Sequence, residues 1–236
     1  MKFTFEVSGK YAMFAEPSSR AGGEFHSYPV PTYEALKGIA KAIYWKPTID
    51  YVVKRVRVMD PIAFYSTAVD MIFYSSKDGR RDPRNSLYLQ NVRYQVEVEM
   101  IWNENHPEFE KDRCEKKHVN MFLHALERGG RRNPCLGKTE CVADVKPCKF
   151  GEGSGVYDFI PQVCFGPMFH SFTYPDGGYD EHTRTHITAN FWNVVMENGI
   201  ITFPEQRACA EAGMSRTLRK MSIRTFPEKH KVEESA

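Results

Sequence analysis

Lys116-Lys117-His118 places two cations beside an imidazole. A histidine titrates in the range useful for general acid–base work, and an adjacent ammonium can face a developing oxyanion. The spacing predicts a helix from about Asp112 to Arg128. On its wheel Cys114, Met121, Phe122, Ala125 and Leu126 form an apolar stripe, with His118 inside it and Lys117 just off its edge. Two readings of His118 stand at this point: a packed, hydrogen-bonded core histidine, or a proton-transfer group next to a cation. Tyr44 is the third residue of interest. It closes an earlier helix, on the apolar side, and reads either as a boundary aromatic whose hydroxyl reaches water or as a partner in proton transfer. A base, an acid and a cation over a phosphorane are what attack by RNA's own 2′-OH requires. Being intramolecular, that displacement needs no metal. His118, a tyrosine and Lys117 could supply the set.

Other motifs carry less chemistry. Glu181-His182 with His186 gives a His-x-x-x-His spacing, but Thr183, Thr185, Ile187 and Thr188 favour a strand, where such a pair is a poorer metal site. Cysteines stand at 114, 135, 141, 148, 164 and 209 with no C-x-x-C, so they read as reduced, mostly buried thiols. Gly151, Gly153 and Gly155 lack the Gly-Lys-Ser/Thr of a phosphate loop. No metal and no other cofactor is expected.

The elements that must position these residues follow from periodicity. Phe3, Phe5 and Val7 alternate with polar neighbours over residues 2–8, a half-buried strand. Pro31-Thr32 opens a helix with Thr32 as N-cap; Leu36, Ile39, Ala40 and Ile43 share one face, and Lys46-Pro47 stops it. Gly38 inside that helix costs about 1 kcal/mol relative to Ala, which predicts close packing there. Strands follow at 51–59 and 92–100, with a hairpin or long loop at 60–87 between them. The helix ending at Gly129-Gly130 comes next, then a strand near 139–149. This βαββαβ order predicts an α+β, ferredoxin-like and RNA-recognition-like domain over 1–149. Its four-stranded antiparallel sheet carries both helices on one face and leaves the other free. A small antiparallel β-rich unit is predicted over 150–213, with hairpin turns at Asp176-Gly177-Gly178 and Asn198-Gly199. Residues 214–236 read as a basic, flexible tail.

The 236 residues are 42% apolar and 26% charged, with a net charge of +2, which is globular material. No stretch approaches a spanning helix and no apolar leader opens the chain, so no membrane contact is expected and the cytoplasm is the default compartment. Near-neutrality hides a local excess. Residues 111–149 hold ten Lys and Arg against five Asp and Glu, including the loop Arg128-Gly-Gly-Arg131-Arg132. Lys77, Arg80, Arg81 and Arg84 form a second cluster. Such clusters read either as solvated faces or as phosphate-tracking surfaces.

Several stretches together resemble the CRISPR-associated Cas-five proteins of subtype I-C (the d variant), in the RAMP superfamily. They are Tyr28-Pro29-Val30-Pro31-Thr32-Tyr33-Glu34-Ala35-Leu36-Lys37-Gly38-Ile39, Ile43-Tyr44-Trp45-Lys46-Pro47-Thr48, Arg55-Val56-Arg57-Val58-Met59, Gly129-Gly130-Arg131-Arg132, Leu136-Gly137-Lys138-Thr139-Glu140-Cys141 and Val195-Met196-Glu197-Asn198-Gly199. The resemblance implies a ferredoxin-like domain followed by a small β-sheet domain. It implies a metal-independent endoribonuclease that cuts CRISPR precursor RNA at the 3′ base of the repeat hairpin. The products would be a 5′-hydroxyl and a 2′,3′-cyclic phosphate. The protein would then stay on the crRNA 5′ handle in a surveillance complex with other type I-C subunits, and would bind duplex DNA non-specifically. The family's catalytic residues fall on Tyr44, Lys117 and His118, with Lys116 a second lysine beside the pair. Lys116, Arg128, Arg131, Arg132 and Lys138 are the expected RNA contacts. Other branches of the superfamily only bind the handle, which leaves a non-catalytic structural subunit as the alternative.

Overall fold

The computed structural model describes residues 1–21, 24–72 and 81–221. In chain order the elements are β1 (Lys2–Ala12), α1 (Pro17–Ala21), β2 (Phe25–His26), α2 (Tyr33–Ile43), β3 (Ile49–Val58), β4 (Phe64–Ile72) and β5 (Arg81–Trp102). A 3-10 turn (Pro107–Asp112) leads to α3 (Glu115–Glu127), β6 (Asp144–Pro147), β7 (Gln162–Thr173), β8 (His186–Glu197), β9 (Ile200–Thr202), α4 (Gln206–Glu211) and β10 (Ser215–Lys220). The architecture is α+β, built on one large, mostly antiparallel sheet with few helices.

Alternation places β1 inside the sheet, next to the edge strand β6. Phe3, Phe5 and Val7 are buried, and β1 lies antiparallel between β5 and β6. β3 flanks β5 on its far side, also antiparallel, giving the local order β6-β1-β5-β3. The outer half of β5 pairs with β4 as the expected hairpin; Lys77 and Arg80 of the second basic cluster lie outside the described residues.

The two longer helices share a face of this sheet. Thr32 Oγ1 accepts from the Ala35 amide at 3.4 Å and starts α2, which buries Leu36, Ile39, Ala40 and Ile43. α2 ends at Ile43, short of Lys46-Pro47, and Tyr44 leaves it in an extended conformation. The helix of Lys117 and His118 begins at Glu115, because residues 107–112 form the tighter turn instead. Cys114 and Met121 are consequently exposed, and the buried stripe is His118, Phe122 and Leu126. Phe122 packs at a tilt against Phe3 with ring centroids 4.2 Å apart; burying a ring of this size contributes about 2–3 kcal/mol. Tyr51 Oη donates to the Tyr44 carbonyl at 2.8 Å, joining β3 to the end of α2.

The opposite sheet face, expected to be free, is covered in part by residues 149–158. Arg57 crosses to Asp158 at 2.6 Å and donates to the Glu152 and Gly153 carbonyls. Gln95 beside it donates to the Glu152 carbonyl at 2.7 Å and accepts from the Gly151 amide. Arg57 and Gln95 are buried polar residues, and a strand can hold them inside only because a returning segment satisfies them.

Further expectations change. Gly38 is exposed, and a Cβ there would meet nothing, so it is not a close-packing position. Close approach occurs instead at Gly137, with φ +90°, where a Cβ would collide with the Met13 carbonyl. The predicted strand at 139–149 shrinks to β6. Asn198-Gly199 makes the expected tight turn, both residues having positive φ, between β8 and β9. Asp176-Gly177-Gly178 instead sits in a long connector containing the 3-10 turn Pro175–Gly177. β9 pairs with β3, so the sheet is continuous across residue 150. Ser215–Lys220, read as tail, is β10 on β8, and residues 222–236 lie outside the described ones. All six cysteines are free, but only Cys141 and Cys209 are buried.

Candidate active site

Three elements meet where α2 ends. Tyr44 caps α2, Lys117 and His118 open α3, and the 3-10 turn delivers Asp112 between them. Tyr44 Oη lies 2.9 Å from His118 Nδ1. His118 Nε2 lies 2.9 Å from the Asp112 carbonyl and 3.5 Å from Asp112 Oδ2. Asp112 Oδ1 accepts from Lys117 Nζ, and Oδ2 accepts from Thr48 Oγ1 at 3.0 Å. Trp102 of β5 packs edge-on against the imidazole at 5.4 Å.

A carbonyl oxygen can only accept, so Nε2 carries the hydrogen in neutral His118 and Nδ1 accepts from Tyr44. Burial and then the Asp112 carboxylate push the Tyr44 hydroxyl above its ordinary value, so it stays protonated at neutral pH and donates. The hydrogen bonds from Lys117 and then Thr48 hold Asp112 below the usual carboxylate range. His118 is wholly buried and Tyr44 nearly so, whereas the Lys117 ammonium stem is 46% exposed.

Lys117 is the member of the set most open to solvent, and Tyr44 is the one that lines a groove. It borders a groove of about 670 Å³ with Trp45, Lys46, Met121, His124, Arg128 and Arg131. The basic loop reaches the groove because its backbone finishes α2: the Arg131 and Arg132 amides donate to the Ile43 and Ala42 carbonyls at 2.9 and 3.2 Å. Gly130, with φ +108°, permits this approach. Arg132 lines a neighbouring groove of about 440 Å³ together with Gly137 and Thr139. Lys138 lies farther on, 4.1 Å from the centre of the Phe25 ring, which Arg84 also approaches at 4.1 Å. One residue from each basic cluster of the sequence, Lys138 and Arg84, thus meets at Phe25. Lys116 is exposed on α3 and lines neither groove.

Among the residues first considered, Tyr44, Lys117 and His118 come together, and Arg128 and Arg131 share the tyrosine's groove. Asp112, Thr48, Trp45 and His124 were not anticipated. Tyr44-Trp45 adjacency was a usable signal for Trp45, whereas Thr48 and Asp112 are joined across 64 residues with no local pattern. His182, on the turn entering β8, and His186, the first residue of β8, stack at 4.4 Å. Among the described residues no group of three or more His, Cys, Asp or Glu side chains could hold a metal ion. No helix of the described residues is long and apolar enough to cross a membrane.

The chain is similar over most of its length to a solved structure described as a CRISPR-associated protein. The TM-score is 0.71 at 30% identity, covering 92% of this chain and 97% of that one. A functionally uncharacterized protein from Streptococcus mutans matches with a TM-score of 0.70 at 32% identity, over the same shares. Residues 3–204 match the Cas_Cas5d model, described as CRISPR-associated protein (Cas_Cas5), and the chain belongs to that family. Two curated relatives are each named CRISPR pre-crRNA endoribonuclease Cas5d. The one from Thermus thermophilus is 32% identical over 60% of this chain and 62% of its own length. The one from Mannheimia succiniciproducens is 25% identical over 86% of this chain and 95% of its own.

Proposed function

We propose that this protein is an endoribonuclease that cuts CRISPR precursor RNA at the 3′ base of the repeat hairpin. The 2′-OH attacks the adjacent phosphorus, the bond to the 5′-oxygen breaks, and a 2′,3′-cyclic phosphate and a 5′-hydroxyl result. The observation that carries this reading is the Tyr44–His118 hydrogen bond at the edge of a groove shared with Arg128 and Arg131. The printed names of both curated relatives support it.

Because His118 is buried, it acts through Tyr44. The 2′-OH gives its proton to Tyr44 Oη as Tyr44 hands its own to His118 Nδ1. Lys117 leaves Asp112 to face the phosphorane oxygens, and the departing 5′-oxygen takes a proton from solvent in the groove. Lys117 is better placed for this than Lys116, because its ammonium is held by Asp112 beside His118. Arg128, Arg131, Arg132 and Lys138 mark the path of the RNA backbone. The same surface would bind duplex DNA without sequence preference. After cleavage the protein remains on the crRNA 5′ handle with other subunits of a type I-C surveillance complex, in the cytoplasm. In this reading residues 1–149 are a ferredoxin-like catalytic domain and 150–213 a small β domain joined to it through β9.

Single-turnover cleavage of the cognate repeat RNA in EDTA tests the proposal, with wild type beside His118→Ala. Wild-type cleavage lost in the variant is the expected result. Binding without cleavage by either protein would make the chain a structural, handle-binding subunit instead.

A further inference from the structure

Asp112 is the hub on which the groups behind Tyr44 converge. Its carbonyl meets His118 Nε2, and its carboxylate takes Lys117 and Thr48 while lying 3.5 Å from the same imidazole nitrogen. We propose that Asp112 is a positioning residue for the cleavage reaction. It fixes His118 in the Nε2–H form and faces the positive charge that His118 acquires. The inference rests on the endoribonuclease reading.

The wholly buried position of His118 is what makes a counter-charge necessary. Water cannot solvate an imidazolium there, and an uncompensated charge in such surroundings is costly. In the proton step the Tyr44 O–H bond breaks and an Nδ1–H bond forms, while the Tyr44 oxygen takes the 2′-OH hydrogen. His118 then carries two N–H groups. One donates to Tyr44, and the other donates to Asp112, whose carboxylate supplies the opposite charge. A serine, histidine and aspartate divide the same labour in hydrolases of unrelated fold. The charged and titratable groups around the ring are Tyr44 from the end of α2, Asp112 from the 3-10 turn and Lys117 from α3 itself; Trp102 of β5 carries no charge. Asp112 is therefore the anion in contact with His118. In the free protein it also holds Lys117, so bound RNA competes with Asp112 for that ammonium.

Single-turnover cleavage of a CRISPR repeat hairpin RNA across pH 5–9 tests this with Asp112→Asn and Asp112→Glu. Asp112→Asn keeps an acceptor for Thr48 and removes the charge. It should slow cleavage by roughly 100-fold, the low end of the range for general acid–base effects, while RNA affinity stays within about threefold. The acid limb of the profile should move to lower pH, because an amide no longer favours the protonated ring. Asp112→Glu should restore part of the rate. A nitrogen-15 NMR titration of the His118 ring gives a readout independent of cleavage, and its midpoint should fall in Asp112→Asn. Superimposable rate profiles with an unmoved midpoint would overturn the inference alone. Wild-type protein that cleaves at no pH would overturn the endoribonuclease reading, and the ring titration would still decide whether Asp112 sets the charge on His118.

Discussion

Two charged clusters flank the same sheet, and they differ in one respect. Arg57, Asp158, Gln95 and the 151–153 backbone close on one another, with every guanidinium nitrogen donating within the protein. Asp112, Lys117, His118 and Tyr44 are just as tightly bonded, yet Lys117 is open to solvent and Tyr44 borders a groove lined by arginines. Residue types do not separate the two; the accessible edge does. A closed cluster ties a returning segment to a sheet, whereas a cluster with an open member can pass a proton outward.

That contrast breaks most sharply at Tyr44. Tyr44→Phe keeps the ring and deletes the hydroxyl of the proposed relay, so single-turnover cleavage should fall by about 10²–10⁴-fold, with a stability loss of only about 1–3 kcal/mol from the unpaired His118 Nδ1. Equal rates for wild type and variant would remove Tyr44 from the chemistry. Arg57→Met should do the reverse. It leaves Asp158 without its partner and should cost about 3 kcal/mol in urea denaturation, with cleavage by the folded protein retained. Asp158 is held below the usual carboxylate range chiefly by the hydrogen bond from Arg57. Its contribution is thus present above the ordinary carboxylate value and lost as pH falls through the lower folded one. Arg57→Met should flatten that acid dependence, and an unaltered dependence would argue against the pair. The smallest effect belongs to the loop. Arg131→Ala should weaken repeat-RNA binding modestly and lower the slope of log affinity against log salt by about 1; an unchanged slope would take Arg131 off the phosphate path.

Much of this was legible where the signal is local. Phe3, Phe5 and Val7 announce β1 by alternation, Thr32 announces the start of α2, and Asn198-Gly199 announces its turn. His118 fell in the apolar stripe of its helix, and it is buried there and bonded to Tyr44. Other features depend on partners far along the chain. Arg57 meets Asp158 across 101 residues, and nothing near either predicts that the sheet face would be covered. Asp112 looked like the first residue of a helix because it precedes the apolar stripe. Its actual turn is set by contacts with Thr48 and α3. Gly38 suggested tight packing on propensity grounds, but a glycine on an exposed helix face satisfies the sequence equally well.

The pairing of β1 with strands far along the chain has a consequence for how the protein is made. Lys2 pairs with Glu99, and Phe5 pairs with Pro147. At synthesis rates of about 5–20 residues per second, the strand emerges roughly 5–20 s before its first neighbour exists. Throughout that interval Phe3, Phe5 and Val7 have no sheet to enter. Until β5 has been made, β1 waits with these side chains uncovered, which leaves the nascent chain open to misassociation at a strand that later lies between β5 and β6.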